Sequence, residues 1–255
     1  MSRFSPSLPV PSVASSYPGG ARRAAARWRP GLAGQPLHSE IFAPGHQACG
    51  AGLALALARD ALKAAADSAD AARRHVLWVQ DRAAIRLGGR PYLHGLPADL
   101  RYQVIHVAAT SPEDALFAME EGLKCRDLAC VIGEVAGNPR TLDFTASRRL
   151  SLAAERAGIA LWLVRLDAAP DLSSARMRWR AAAAPSLPPR WNPTAPGAGR
   201  WHAELFRARA HLPGEWMLSD DAGALRAERV SPLAARPPDH GDLADGSGAR
   251  SLAAG

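Results

Sequence analysis

Four short apolar runs rich in β-branched residues constrain the fold more than any other feature: "HVLWVQ" (75–80), "QVIHVA" (103–108), "LACVIGEV" (128–135) and "ALWLVR" (160–165). Their near-continuous apolarity is that of strands covered on both faces, as in a parallel sheet. Helical segments separate them. "SPEDALFAMEEGLKC" offers Ser111 as N-cap, Pro112 at the first helical position and two acids in the first turn. Its Leu116, Met119 and Leu123 fall on one face. "DFTASRRLSLAAERAG" starts at an Asp143 cap, keeps Ala146, Leu150, Ala153 and Ala157 together and stops at Gly158. Strands alternating with helices predict a parallel α/β sheet with helices on both faces.

After Arg165 the pattern changes. "ARMRWRAAAA" (175–184), "RWHAELFRAR" (200–209) and "EWMLSD" (215–220) read as strands without intervening helices, the last two joined by the turn "AHLPG". An antiparallel extension at one edge of the sheet is expected. Residues 1–36, rich in Pro, Ser, Gly and Ala, contain arginines and no acid, and read as a flexible basic arm. Residues 222–255 read as a disordered tail, leaving 37–221 as the folded domain.

The chain of 255 residues carries a net charge of +7, almost all from arginine, since Lys63 and Lys124 are its only lysines. That excess fits a nucleic-acid partner or simply solvated arginines. Three irregularly spaced cysteines, Cys49, Cys125 and Cys130, give neither a disulfide framework nor a structural zinc site. No apolar run approaches the ~18 residues of a membrane span, and the start lacks the apolar stretch of a secretory signal. A cytoplasmic location is expected.

"IFAPGHQACGAGLALALA", from Ile41, has the frame of a strand, a Gly-rich loop and a small-residue helix. A working phosphate loop also needs a Lys for the terminal phosphates and a Ser/Thr hydroxyl on magnesium. Here those positions fall near Cys49 and Gly50, so Ala43, Pro44, Gly45, Cys49 and Gly50 form a degenerate loop. Neither ATP hydrolysis nor a bound cofactor is expected, although the helix N-terminus alone leaves anion binding open. His46 and Cys49 have half of a metal-site spacing with no second half, so no metal is expected. Asp81 and Glu134 close two strands, where an acid is either catalytic or, without Lys and Ser/Thr, a helix cap or solvated edge.

Arginines mark the other candidate surface. Alternation in "ARMRWR" sets Arg176, Arg178 and Arg180 on one face and Met177 and Trp179 on the other. Arg190, Arg200, Arg207 and Arg209 follow, and Glu204 is the only acid from Arg176 to Arg209. The stripe reads either as a phosphate track with a Trp for base stacking, or as the wet face of an antiparallel sheet. Arg148 and Arg149, near the start of a helix, are a second basic spot or a solvated helix face.

From Leu37 to Asp220 the chain resembles the ImuA family of RecA-like proteins, some of whose relatives are described as SulA-like. The resemblance rests on "LHSEIFAPG", "VLWVQ", "ALFAMEEGLKC", "VIGEVAG", "LDFTASRRLSLAAERAG", "RMRWRAAAAPS" and "GRWHAELFRARAHLPGEW" in this order. It implies a RecA-like core without recombinase activity, acting in the SOS response and in error-prone translesion DNA synthesis. The partners it implies are an ImuB-type inactive Y-family polymerase relative, RecA and an error-prone DNA polymerase, with DNA contact secondary and a nucleoid-associated location. The alternatives are a SulA-like inhibitor that binds the tubulin-like division protein, and a residual nucleotide-binding ATPase. The chain departs from the family at "RPGLAGQPLHSE", which is shorter than the family's usual entry segment.

Overall fold

The computed structural model describes Pro30 and residues 37–64, 75–189, 191–221 and 224–230. Most of the arm expected at 1–36, and residues 231–255 of the expected tail, lie outside the described residues.

Nine strands form one sheet: β1 (His38–Ala43), β2 (His75–Gln80), β3 (Val104–Ala108), β4 (Leu128–Ala136), β5 (Ala160–Leu166), β6 (Met177–Ala183), β7 (Arg200–Ala208), β8 (Gly214–Asp221) and β9 (Ala224–Arg229). Their spatial order is β3-β2-β4-β5-β1-β6-β7-β8-β9. Four α-helices accompany them among the described residues: α1 (Cys49–Ala64), α2 (Arg82–Gly88), α3 (Pro112–Gly122) and α4 (Phe144–Ala157). The fold is α/β, with a mostly parallel sheet and an antiparallel C-terminal part, as the alternation of apolar runs and helices predicts.

Strict side-chain alternation divides the core into two layers. Trp78, Ile132, Trp162 and Trp179 point to the face covered by α1, where Leu53 and Leu57 meet them. Leu77, Val131, Leu161 and Leu163 point the other way, onto Met119 of α3 and Leu150 of α4. Burial on both faces is why these runs lack polar alternation. The caps hold as well. Ser111 accepts the Asp114 N–H, Asp143 accepts the Ala146 N–H, and Gly158 takes the left-handed conformation (φ 66°) that ends α4.

Two expectations are corrected. β6 runs parallel to β1, so the antiparallel part begins one strand later, at β7. The segment 167–176 returns from the end of β5 across the sheet without forming a helix, and ten extended residues reach roughly 33 Å, enough to span a strand's length. The sheet also continues past residue 221. β9 pairs antiparallel with β8, and Ala227 and Leu225 pack against the core, so an ordered strand occupies the start of the expected tail. Its three charges in six residues, Arg226, Glu228 and Arg229, leave no apolar run to mark it.

Candidate functional site

The turn between β1 and α1 has the frame of a phosphate loop, but its glycines serve packing. The Gly45 N–H donates to Asp167 Oδ1 at 2.8 Å. A Cβ on Gly45 would stand 2.5 Å from Asp167 Oδ2 and 2.8 Å from Leu87 Cδ1. On Gly50 it would stand 2.7 Å from Val164 Cγ1 and 2.8 Å from the Ala43 Cβ, so this glycine lets α1 lie close on the sheet. Cys49 is buried and its thiol donates to the Ala181 carbonyl at 3.6 Å; burial pushes its pKa up. An internal carboxylate therefore takes a loop amide that an anion would need. Pro44 accepts from the Gln47 N–H at 3.2 Å, which closes the turn. His46 stays at the surface beside Gln47, and no metal-binding cluster forms among the described residues.

The two strand-end acids have different environments. Asp81 caps α2, accepting from the Ala84 N–H at 2.6 Å and the Ala136 N–H at 3.3 Å. Glu134 lies one strand over, opposite Gln80 in the parallel register and 4% exposed. Its Oε1 accepts from Trp78 Nε1 at 2.6 Å and from Gln80 Nε2 at 3.1 Å. Gln80 is fixed in turn, donating to the Gly89 carbonyl and bonded through Oε1 to His106 Nε2. Burial, offset in part by these donors and reinforced by Asp81, pushes the Glu134 carboxyl up to about 7. The group lines a cavity of about 250 Å³ at the carboxyl ends of β2 and β4, where ligands of open α/β sheets bind.

Of this cavity, the sequence reading identified Glu134 but missed Gln47, Trp78, Gln80 and Arg90, together with helix α2. "DRAAIRLGG" carried the missing signal: an Asp N-cap and two terminal glycines around a short helix.

The arginines do not form one solvent-facing row. Met177 and Trp179 enter the core as the alternation requires. Arg178, however, is 3% exposed and donates through Nε to Glu40 Oε2 at 2.7 Å. Its guanidinium lies 5.0 Å from the Phe42 ring centroid, and Arg165 approaches the same ring at 5.6 Å. Arg165 and Arg178 thus share Glu40, with Asp171 of the return segment close to both. Behind them His38 bonds Ser151, Ser151 bonds Ser174, Ser147 bonds Ser173 and Ser174, and Ser173 donates to Glu40. This polar network fastens the return segment to α4 and β1.

Arg176 pairs with Glu155, and Arg180 pairs with Glu204 at 2.9 Å while lying over the Phe206 ring. Arg149 pairs with Glu120 at 3.3 Å. Arg148, Arg207 and Arg209 are exposed, while Arg190 lies outside the described residues. The exposed members of this set therefore sit in two places, α4 and the uncovered face or margin of β6–β7, rather than in one track. No described helix is long and apolar enough to cross a membrane.

No family model matches the chain. Two relatives, both "Protein ImuA", from Caulobacter vibrioides strains NA1000 / CB15N and ATCC 19089 / CIP 103742 / CB 15, are each 36% identical to it over 161 residues. The match takes in 58% of this chain and 62% of each relative, so it spans a little under two thirds of their length. Over that stretch the chain is similar to Protein ImuA, and its sheet is of the expected α/β class.

Proposed function

We propose that the protein is a non-catalytic, RecA-like accessory factor of SOS-induced, error-prone translesion DNA synthesis. It bridges an ImuB-type inactive Y-family polymerase relative, RecA and an error-prone DNA polymerase. The identity to Protein ImuA carries this reading. The geometry of the degenerate loop supports its non-catalytic part: Gly45 is held by Asp167, Gly50 is packed against Val164, and a thiol stands where a phosphate-binding Lys would be. The exposed arginines of α4 and β6–β7 support a secondary contact with DNA in a nucleoid-associated setting.

The test is binding of the purified chain to each partner, measured separately by biolayer interferometry. Saturable binding to the ImuB-type protein is expected, with magnesium-dependent ATP turnover at background. Failure to bind that protein, combined with binding to the tubulin-like division protein, would replace this function with division inhibition. ATP turnover abolished by Glu134→Ala would make the protein an enzyme.

A further inference from the structure

The cavity above Glu134 has a rigid polar floor. Trp78 and Gln80 hold Oε1 of the acid, and His106 and the Gly89 carbonyl hold Gln80. Among the described residues no donor is bonded to Oε2, and the residue lines the cavity. With its carboxyl pushed up to about 7 by burial and by Asp81, this floor carries a proton at slightly acid pH. It then offers an O–H donor at Oε2, while Oε1 stays held by Trp78 and Gln80. His106, the titratable group joined to it through Gln80, is pushed down by burial and by Arg90, which favours its uncharged form.

The walls and rim narrow the ligand class. Ala48 of the turn before α1 and Ala51 and Gly52 of α1 project little into the space, and Tyr92 lines the cavity from the loop after α2. A volume of about 250 Å³ is below the ~300–1,000 Å³ of drug-sized sites. Arg90 is the one cation among the lining residues and is exposed. Phosphate is a poor occupant of the floor, since an acid lies there and the Gly45 amide is already bonded to Asp167. A flat, uncharged ring with a nitrogen or carbonyl acceptor at its edge matches the Oε2 donor, and its substituent would reach Arg90. Unstacked bases are read through hydrogen bonds to their polar edges in pockets of this kind.

We propose that this cavity binds a nucleobase, ring first, with the polar edge of the base on Glu134 and its sugar or sugar-phosphate toward Arg90. The ring-first orientation is the reverse of phosphate-first binding on a Gly-rich loop. It does not rest on a role in mutagenesis, and its failure would leave that reading untouched. Free nucleosides and unpaired bases of single-stranded nucleic acid share the required chemistry.

Isothermal titration of the full chain at pH 6 tests the proposal, with adenosine, guanosine, cytidine and uridine as probes and ribose 5-phosphate and tripolyphosphate as phosphate controls. At least one nucleoside is expected to bind at least tenfold more tightly than either control. Ala51→Phe, which fills the cavity, is expected to weaken that binding at least tenfold. Ala48→Leu serves the same purpose if circular dichroism shows the first variant unfolded. Competition by a single-stranded oligonucleotide would assign the base to nucleic acid; its absence would assign it to a free nucleoside. The proposal is overturned if no nucleoside binds at millimolar concentration, if the controls bind equally well, or if a folded cavity-filling variant binds like the parent.

Discussion

The Asp167 carboxylate accepts the backbone N–H of Gly45 at 2.8 Å, joining the end of β5 to the turn after β1. Asp167 adopts φ 49°, a left-handed conformation that Asp tolerates better than most residues. The bond closes the turn on itself with an anion supplied by the chain.

Restoring the missing phosphate-loop residues will therefore not restore a phosphate loop. In Cys49→Lys/Gly50→Ser the new Cβ at 50 meets Val164 and Ala43, and the lysine replaces a thiol that is 4% exposed. The double variant is expected to lose about 3 kcal/mol or more in urea unfolding and to show no ATP turnover. A folded, hydrolysing variant would contradict this account of the loop.

Gly45→Ala isolates the close approach. Its Cβ would meet Asp167 Oδ2, and a cost of about 1–3 kcal/mol is expected from overpacking. Asp167→Gly in the same background should recover part of the loss while Leu87 keeps the remainder. Thermal unfolding of the single and double variants measures both effects.

Arg178 and Arg180 are two residues apart and should behave oppositely. Arg178→Ala takes the nearest cation from Glu40, leaving it in the core with Ser173 and the more distant Arg165, and is expected to cost about 3–5 kcal/mol. Arg180→Ala breaks a half-exposed pair with Glu204 and should cost less than about 1 kcal/mol. Equal losses in denaturant titrations would show that Arg178 is not buried. Surface binding by β6–β7 is properly probed with Arg180 and Arg207, because an Arg178 variant confounds binding with folding.

Burial, with Arg178 nearby, pushes His38 down to about 4. The unfolded chain binds a proton below about 6.5 while the fold keeps the ring neutral, so its contribution is fully present above that pH and is lost as pH falls toward 4. The difference amounts to about 3 kcal/mol by pH 4. Stability measured from pH 7 to pH 4 should fall less steeply in His38→Asn than in the parent.

Glu134 acts in the reverse direction. Its folded pKa of about 7 exceeds the unfolded value of 4.5, so the fold holds a proton the unfolded chain releases. The contribution is fully present below 4.5 and is lost as pH rises through 7. Glu134→Gln preserves an acceptor for Trp78 and Gln80 and removes the ionisation. It should exceed the parent's stability by about 2–3 kcal/mol at pH 8 and match it near pH 4.5. A parent and variant with parallel pH profiles would place the Glu134 carboxyl in contact with water.

By itself the sequence determined the layered α/β arrangement. Its strands announce themselves because burial on both faces leaves almost no polar residue in "LACVIGEV" or "ALWLVR", and Ser111, Asp143 and Gly158 punctuate the helices through local backbone chemistry. It also determined that the loop lacks a Lys and a Ser/Thr. The direction of β6, the strand at Ala224–Arg229, the burial of Arg178 and the cavity above Glu134 were decided only by the tertiary structure. Each depends on residues far apart in the chain. Glu40 and Arg178 are 138 positions apart, and Gly45 and Asp167 are 122 apart. Alternation places a side chain on a face, but whether that face meets water or a buried carboxylate depends on which distant segment lies over it.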